Sequence, residues 1–314
     1  MTNIMAYVKN ELPDAASQGE LFHGPMALHL GRIGVVSADG LASNGVEVTP
    51  GNQKIFPVGA NYILGTGAGD RIRFIADQIK DAAPLSAEQV GQQIIDLSKE
   101  YFVFQPGEQL NFIVVGRERG ELRAYSVLAN RTNKPIMERN GGFLADGSGS
   151  QFVAKALQRD AQRGLLSADN KNDSIADLAI RLFDLGHVAK SSAGVNDEIQ
   201  YGFITEAGNA TLIHPYVTLS HPPKEYLGED GKVDPQKVEA NALFYSELNK
   251  RLIEAYRVIR DSNRATTFLL GKGTVHDKDK LYEFLDHQAR TLSKVRRTLN
   301  EMIIDFVVKK NHPN

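Results

Sequence analysis

The stretch MALHLGRIGVVSAD, residues 26–39, contains two β-prone runs on either side of Gly31-Arg32. Two apolar runs around a short glycine-containing turn are typical of a β-hairpin, so the sequence predicts a pair of antiparallel strands here. Two further strand patterns follow, KIFPV at 54–58 and YILGTGAG at 62–69. The region therefore begins with a block of strands joined by short turns, which indicates antiparallel sheets.

After these strands the hydrophobic period changes to that of helices. Residues 70–83 carry apolar side chains at helical spacing, and Ser86 with Gln89 forms a capping-box pair that opens a second helix. Strand patterns return at 110–118, 122–128 and 142–149, helical patterns follow at 151–163 and 174–190, and strand patterns close the region at 199–205 and 210–215. Blocks of strands alternating with pairs of helices indicate sheets that are covered by helix layers.

From residue 216 the chain becomes turn-rich and charged, and two long amphipathic helical patterns then follow at 239–263 and 277–309. Two such helices joined by a loop predict a helical hairpin. One interpretation is that the hairpin packs on its own domain, and the other is that it makes subunit contacts. The predicted divisions are a leader segment at 1–22, a main domain at 23–215 and an α-helical extension at 216–314.

The composition limits the classes of function. The 314 residues include 36 Lys and Arg against 38 Asp and Glu, a net charge of −2, which argues against a general nucleic-acid or anionic-membrane binder. The chain has no cysteine, which excludes disulfides, thiolate metal sites and a cysteine nucleophile. The sequence contains no signal-peptide pattern and no apolar run of the ~18 residues that a membrane span needs. We expect a cytoplasmic protein with no membrane or nucleic-acid partner.

No cofactor is expected either. The eight histidines show none of the spacings of metal ligands. The run GTGAGD at 65–70 precedes a helix but lacks the GK[ST] ending of a phosphate-binding loop.

Four segments together resemble the proteasome β-subunit family and its bacterial relatives, over residues 24–212. They are IGVVSADGLASNG at 33–45, KIFPV at 54–58, DGSGSQFVAKAL at 146–157 and SSAGVNDEIQYGFIT at 191–205. The resemblance implies a four-layer αββα N-terminal-nucleophile (Ntn) hydrolase sandwich of the α+β class, here with a C-terminal helical hairpin. It also implies a ring-like homo-oligomer, and the C-terminal helices are a candidate contact for a protein partner such as an ATPase.

The family hydrolyses peptides with the hydroxyl of a mature N-terminal threonine, whose own α-amine is the general base. The resemblance assigns Lys54 to the catalytic lysine, Asp39 to the acid that holds it, and Ser148 to the serine of the active-site turn. Each also has a simpler interpretation, as a lysine at the start of a strand, a turn aspartate and a helix N-cap. The family's oxyanion glycine falls near Thr66 and Gly67.

The nucleophile is missing where the family register puts it. Counting back from Asp39 by the family's spacing reaches His-Gly-Pro at 23–25, which carries no hydroxyl. Ser17 would need an insertion of several residues. Thr2 would be exposed by removal of the initiator methionine, but it lies far outside this register.

A second departure concerns the family's catalytic aspartate, which aligns near Lys190, with Asp197 close but displaced. One hypothesis is therefore a ring-forming proteasome-like subunit that lacks catalytic activity. The alternative is an active threonine- or serine-type peptidase, or another amidase of the Ntn class, with an unrecognised processing register.

Overall fold

The computed structural model describes residues 3–10, 32–39, 42–43, 48–49, 51–80, 85–132, 137–139, 142–162, 173–191, 195, 199–217, 219, 222–272 and 275–311. This part of the chain is of mixed α+β class, with two five-stranded antiparallel sheets and six α-helices. Among these residues, no helix combines the length and the apolar character that crossing a membrane requires.

The first sheet has the strand order β10-β1-β2-β11-β12. Its strands are β1 (Asn3–Lys9), β2 (Ile33–Ala38), β10 (Gly142–Gly147), β11 (Gln200–Thr205) and β12 (Gly208–Leu212). Every residue of β1, β2 and β11 is buried, because both faces of this sheet are covered. These strands therefore lack the alternation of apolar and polar residues that a half-exposed strand shows.

The second sheet has the strand order β5-β6-β7-β8-β9, so β5 is an edge strand. Its strands are β5 (Ile55–Val58), β6 (Asn61–Thr66), β7 (Gln109–Glu118), β8 (Glu121–Asn130) and β9 (Met137–Arg139). Two short strands, β3 (Ala42–Ser43) and β4 (Val48–Thr49), pair separately with each other.

The two sheets pack face to face, and helices cover their outer faces. Apolar side chains such as Ile4 and Val36 of the first sheet meet Tyr62 and Ile113 of the second. The outer face of the second sheet packs against α1 (Gly69–Lys80) and α2 (Ala87–Tyr101). The outer face of the first packs against α3 (Ser150–Gln162), α4 (Ile175–Ala189) and parts of α5 (Pro235–Lys272) and α6 (Val275–Asn311). Each sheet thus has one face in the centre and one under helices.

The helix signals of the sequence are confirmed at α2. Ser86 is its N-cap, and Ser86 and Gln89 exchange the two hydrogen bonds of a capping box. These bonds satisfy backbone N–H groups that the first turn of a helix cannot pair internally. Helix α4 begins in the same way at Ser174, whose side chain accepts from the N–H of Asp177.

The C-terminal helices form the predicted hairpin, and its inner half packs on the main domain. Leu252 of α5 and Leu299 of α6 are fully buried in the same apolar cluster as the outer face of the first sheet. The outer half differs, since no side chain described at 259–267 or 278–291 is buried.

Strand β1 corrects the interpretation of the N-terminus. Residues 3–9, which the sequence analysis placed in a leader segment, form an interior strand of the first sheet. Strand β2 pairs with β1 along one edge and with β11 along the other. Because both edges of β2 are occupied, the predicted hairpin between residues 26–30 and this strand is wrong. Residues 11–31 themselves lie outside the described residues.

Candidate functional site

Four strand ends of the first sheet meet at one edge. Asn3, the first residue of β1, lies opposite Gly147, the last residue of β10. Ala38, the last residue of β2, lies opposite Ile4 on one side and Gln200, the first residue of β11, on the other. The antiparallel arrangement therefore brings residues far apart in sequence to one place, and Asp39 directly follows β2.

Lys54 and Asp39 form a buried ion pair at this edge. Lys54 Nζ lies 2.9 Å from Asp39 Oδ1, and the two side chains are only 9% and 2% exposed. Burial lowers the pKa of Lys54 below its usual value, and the charge of Asp39 and the hydrogen bond to it partly oppose that shift. The predicted pairing of these two residues is present in the structure, and it crosses from the first sheet to the segment that precedes the second.

The oxygen that holds Lys54 also holds the start of β1. The N–H of Asn3 donates to Asp39 Oδ1 at 2.8 Å, and the N–H of Asp39 donates to the carbonyl of Asn3 at 3.1 Å. Asp39 Oδ1 therefore accepts from both an ammonium and a backbone amide. This arrangement fixes the beginning of β1 against the ion pair.

Ser148 lies in the turn between β10 and α3, next to the same edge. Gly147 has a φ of 100°, which favours glycine, and its carbonyl accepts from the Ser150 hydroxyl at 2.7 Å. A methyl group on Gly149 would lie 2.8 Å from Ala189 Cβ and 3.1 Å from Asn3 Oδ1. The turn that carries Ser148 is therefore packed closely against both β1 and the end of α4.

Gln200 is a site residue that the sequence analysis missed. It is fully buried, and its Oε1 accepts the N–H of Lys54 at 3.1 Å while its Nε2 donates to the carbonyl of Asn52. A lone glutamine at the start of a strand belongs to no motif, so only the three-dimensional pairing identifies it.

Of the other predicted site residues, the structure describes Lys190, Thr66 and Gly67. Lys190 caps the end of α4, and burial lowers its pKa. Asp197 lies outside the described residues. Thr66 ends β6 and donates to Asp146 Oδ2 at 3.1 Å, while a methyl group on Gly67 would lie 2.9 Å from the carbonyl oxygen of Gln109. The GTGAG turn thus packs tightly against β7.

No metal cluster is present in the part of the chain that the structure describes, where no group of three or more His, Asp or Glu side chains could hold an ion. The polar groups gathered at this edge are instead an ammonium, a carboxylate, a primary amide and a glycine-rich turn.

Comparison with known proteins gives a distant similarity to a solved structure. No protein-family model matches the sequence, and no curated protein is significantly similar to it. Among solved structures, the chain is similar to Thiobacillus denitrificans BPH in complex with epoxomicin. The two chains are 16% identical with a TM-score of 0.43, and the alignment covers 65% of this chain and 98% of that chain. The link is therefore a weak one at the level of the fold.

Proposed function

We propose that the protein is an Ntn hydrolase of proteasome-like type, a threonine peptidase or amidase whose nucleophile is Thr2. The observation that carries this proposal is the double contact of Asp39 Oδ1, with Lys54 Nζ at 2.9 Å and the N–H of Asn3 at 2.8 Å. Thr2 lies outside the described residues, but a peptide bond of about 1.33 Å joins its carbonyl carbon to that nitrogen. Thr2 therefore precedes the strand beside a lysine and an acid, as the nucleophile of an Ntn hydrolase does.

This proposal replaces the expectation that the nucleophile is missing. The expectation rested on a strand at 26–30 before the turn to β2, which places the nucleophile at residues 23–25. The strand that pairs with β2 at this position is instead β1, at residues 3–9. The residue before that strand is Thr2, which carries the required hydroxyl.

The chemistry requires cleavage of the Met1–Thr2 bond, which frees the α-amine of Thr2. The amine takes the hydroxyl proton as the oxygen attacks a substrate amide carbon, and the carbonyl becomes an oxyanion. The amine then gives its proton to the leaving nitrogen as the C–N bond breaks, which leaves an ester on Thr2. Water attacks the ester with the amine again as base, releasing the acid and restoring the hydroxyl.

The neighbouring residues support these steps through charge and position. A nearby ammonium disfavours a second positive charge, so Lys54 keeps the α-amine neutral and able to accept a proton. Asp39 fixes both the ammonium and the backbone of Asn3. We assign Ser148 to hydrogen bonding with the α-amine, because its turn begins at Gly147, opposite Asn3. Glycine at 149 permits the close approach of that turn to β1.

The test is the N-terminal residue of the purified protein together with its reaction with a peptide epoxyketone. An epoxyketone needs both a hydroxyl and an adjacent free amine, so we expect intact mass to show loss of Met1 and one covalent adduct per chain. Peptide mapping should locate the adduct on Thr2. A protein that keeps Met1 and forms no adduct would support the other hypothesis, a non-catalytic subunit.

We also propose that the outer half of the helical hairpin makes contacts in a ring-like homo-oligomer. Tyr282 is 69% exposed, and Leu281, Phe284 and Leu285 nearby are only partly buried. Exposed apolar side chains that lie close together are a common feature of interaction surfaces. The alternative is that this surface binds a different protein, such as an ATPase.

Native mass spectrometry should therefore give the mass of an oligomer, several times that of the 34.5 kDa chain. Phe284→Glu/Leu285→Glu should shift the protein towards the monomer, because it places two charges on the proposed interface. Leu243→Glu is the control, since Leu243 is as exposed as Tyr282, at 69%, but lies on the inner half of α5. A wild-type monomer, or equal effects of the two charge variants, would argue against this surface.

A further inference from the structure

We infer that Gln200 is a positioning residue that sets where the Lys54 ammonium stands in the proposed active site. Its catalytic consequence rests on the function proposed above, whereas its structural part does not. The hydrogen bonds of the Gln200 side chain go to backbone groups and not to the ion pair. It acts through the backbone of the segment that carries Lys54.

The two hydrogen bonds of Gln200 hold that segment at two points. Its carboxamide oxygen accepts the N–H of Lys54 at 3.1 Å, and its carboxamide nitrogen donates to the carbonyl of Asn52. The acceptor and the donor of the Gln200 carboxamide therefore bind two backbone groups of the same short segment, at Lys54 and Asn52. The side chain is fully buried, so water does not compete for these bonds.

The segment needs such an anchor because of its place in the fold. Lys54 precedes β5, which lies at the edge of the second sheet and, among the strands that the structure describes, pairs with β6 alone. Asp39 follows β2 in the first sheet. The ion pair thus joins two separate sheets, and the backbone of Lys54 lies before the first ladder residue, Ile55.

Gln200 belongs to the same sheet as Asp39 and is nearly its neighbour. Its backbone lies opposite Ala38, the residue before Asp39. The Gln200 side chain therefore ties the Lys54 backbone to the sheet that carries the acid. Movement of Lys54 away from Asp39 would require the hydrogen bonds of the Gln200 side chain to break together with the ion pair.

The position of Lys54 matters because its effect on the Thr2 amine falls with distance. An unanchored segment allows the ammonium to move while substrate binding elsewhere is unaffected. Loss of Gln200 should therefore lower kcat and leave KM nearly unchanged, which is the pattern of an interaction made mainly in the transition state.

The test compares wild type with Gln200→Met, which removes both hydrogen bonds and keeps a similar side-chain volume. We expect kcat for a fluorogenic peptide amide to fall roughly 10- to 100-fold, with KM within about twofold, because small misplacements in active sites have effects of this size. Hydrogen exchange at the Lys54 amide should be roughly tenfold faster, since its acceptor is lost. Equal exchange at Lys54 in the two proteins would overturn the inference.

Asn209→Leu is the matched control. The Asn209 amide also links the two sheets, donating to the carbonyl of Ala60 at 2.8 Å, but at the turn between β5 and β6. This variant should keep wild-type kcat and wild-type exchange at Lys54. A loss of kcat equal to that of Gln200→Met would mean that any bridge between the sheets matters, and would overturn the specific role of Gln200.

Gln200→Glu serves if the methionine variant does not fold. Its carboxylate still accepts from the Lys54 N–H but cannot donate to Asn52. In Gln200→Glu, slow hydrogen exchange at the Lys54 amide together with a reduced kcat supports the inference. An unchanged kcat in this variant overturns it. If wild type neither hydrolyses amides nor reacts with the epoxyketone, the proposed function fails, while exchange at Lys54 still decides whether Gln200 holds the segment.

Discussion

Thr2→Ala should abolish amide hydrolysis and epoxyketone labelling, with a fall in kcat/KM of at least about 10³-fold, because the oxygen that attacks the substrate is gone. The variant keeps a free α-amine, Lys54 and Asp39, so the loss is specific to the nucleophile. Single-turnover hydrolysis of a fluorogenic peptide amide and the intact mass of the labelled protein measure the effect.

Two controls separate the nucleophile from folding and from the other hydroxyl considered. Thr2→Ser retains a hydroxyl beside the amine and should remain labelled, with a melting temperature close to that of Thr2→Ala. Ser17→Ala should keep full activity. Labelling that disappears in Ser17→Ala and persists in Thr2→Ala would move the nucleophile to Ser17 and refute the proposed register.

Lys54→Met should lower kcat by roughly 10²- to 10³-fold, because a preorganised charge beside the reacting groups is lost. The variant alone is ambiguous, however, since removal of one partner of a buried ion pair destabilises a protein by about 3–5 kcal/mol. The side chain of Asp39 is 2% exposed and would lose the ammonium that it contacts.

The double variant Lys54→Met/Asp39→Asn resolves this ambiguity. An asparagine at 39 carries no charge, and its carbonyl oxygen can still accept the N–H of Asn3. We expect urea denaturation to show that the double variant regains most of the lost free energy of unfolding, while its kcat stays as low as that of Lys54→Met. Wild-type turnover in either variant would remove Lys54 from the mechanism.

The pH dependence provides a further check on Lys54. An α-amine ordinarily has a pKa of about 7.7–8.0, and the nearby ammonium should lower the pKa of the Thr2 amine. The acid limb of the rate profile should therefore move to higher pH in Lys54→Met. Burial also lowers the pKa of Lys54 itself. Between that lowered pKa and 10.5 the unfolded chain holds the proton and the folded chain does not, so wild-type stability should rise with pH across this window.

The sequence predicts the helices and most strands well because their signals are local. Ser86 and Gln89 mark the start of α2 within four residues, and the long apolar stripes of α5 and α6 extend over many turns. The pairing of Lys54 with Asp39 could be predicted only from the family resemblance, because Asp39 follows a strand of the first sheet, Lys54 precedes a strand of the second, and no local signal joins them.

The first strand could not be predicted by the same means. NIMAYVK at residues 3–9 is buried on both faces, so it lacks a strand period, and it stands beside a segment containing Pro13 and Gly19. The run MALHL at 26–30 offers a similar β-prone pattern at a shorter distance from β2. Because the entropy cost of closing a loop grows slowly with length, a long connection between β1 and β2 costs little more, and the nearer run is favoured only slightly. A first strand at 26–30 puts the expected nucleophile at residues 23–25, whereas β1 puts the proposed nucleophile at Thr2.

The interior location of β1 also has a consequence for the order of events during synthesis. Strand β1 leaves the ribosome before the other strands of its sheet, yet its second neighbour β10 begins at Gly142, and Gln200 follows later still. At about 5–20 residues per second, the newly made chain spends roughly 10–40 s before all parts of the site exist. During this interval Asp39 and Lys54 already exist, but β1 lacks its neighbour β10 and Lys54 lacks its hydrogen bond to Gln200. A growing chain therefore carries its proposed nucleophile in an inactive form until translation has passed Gln200.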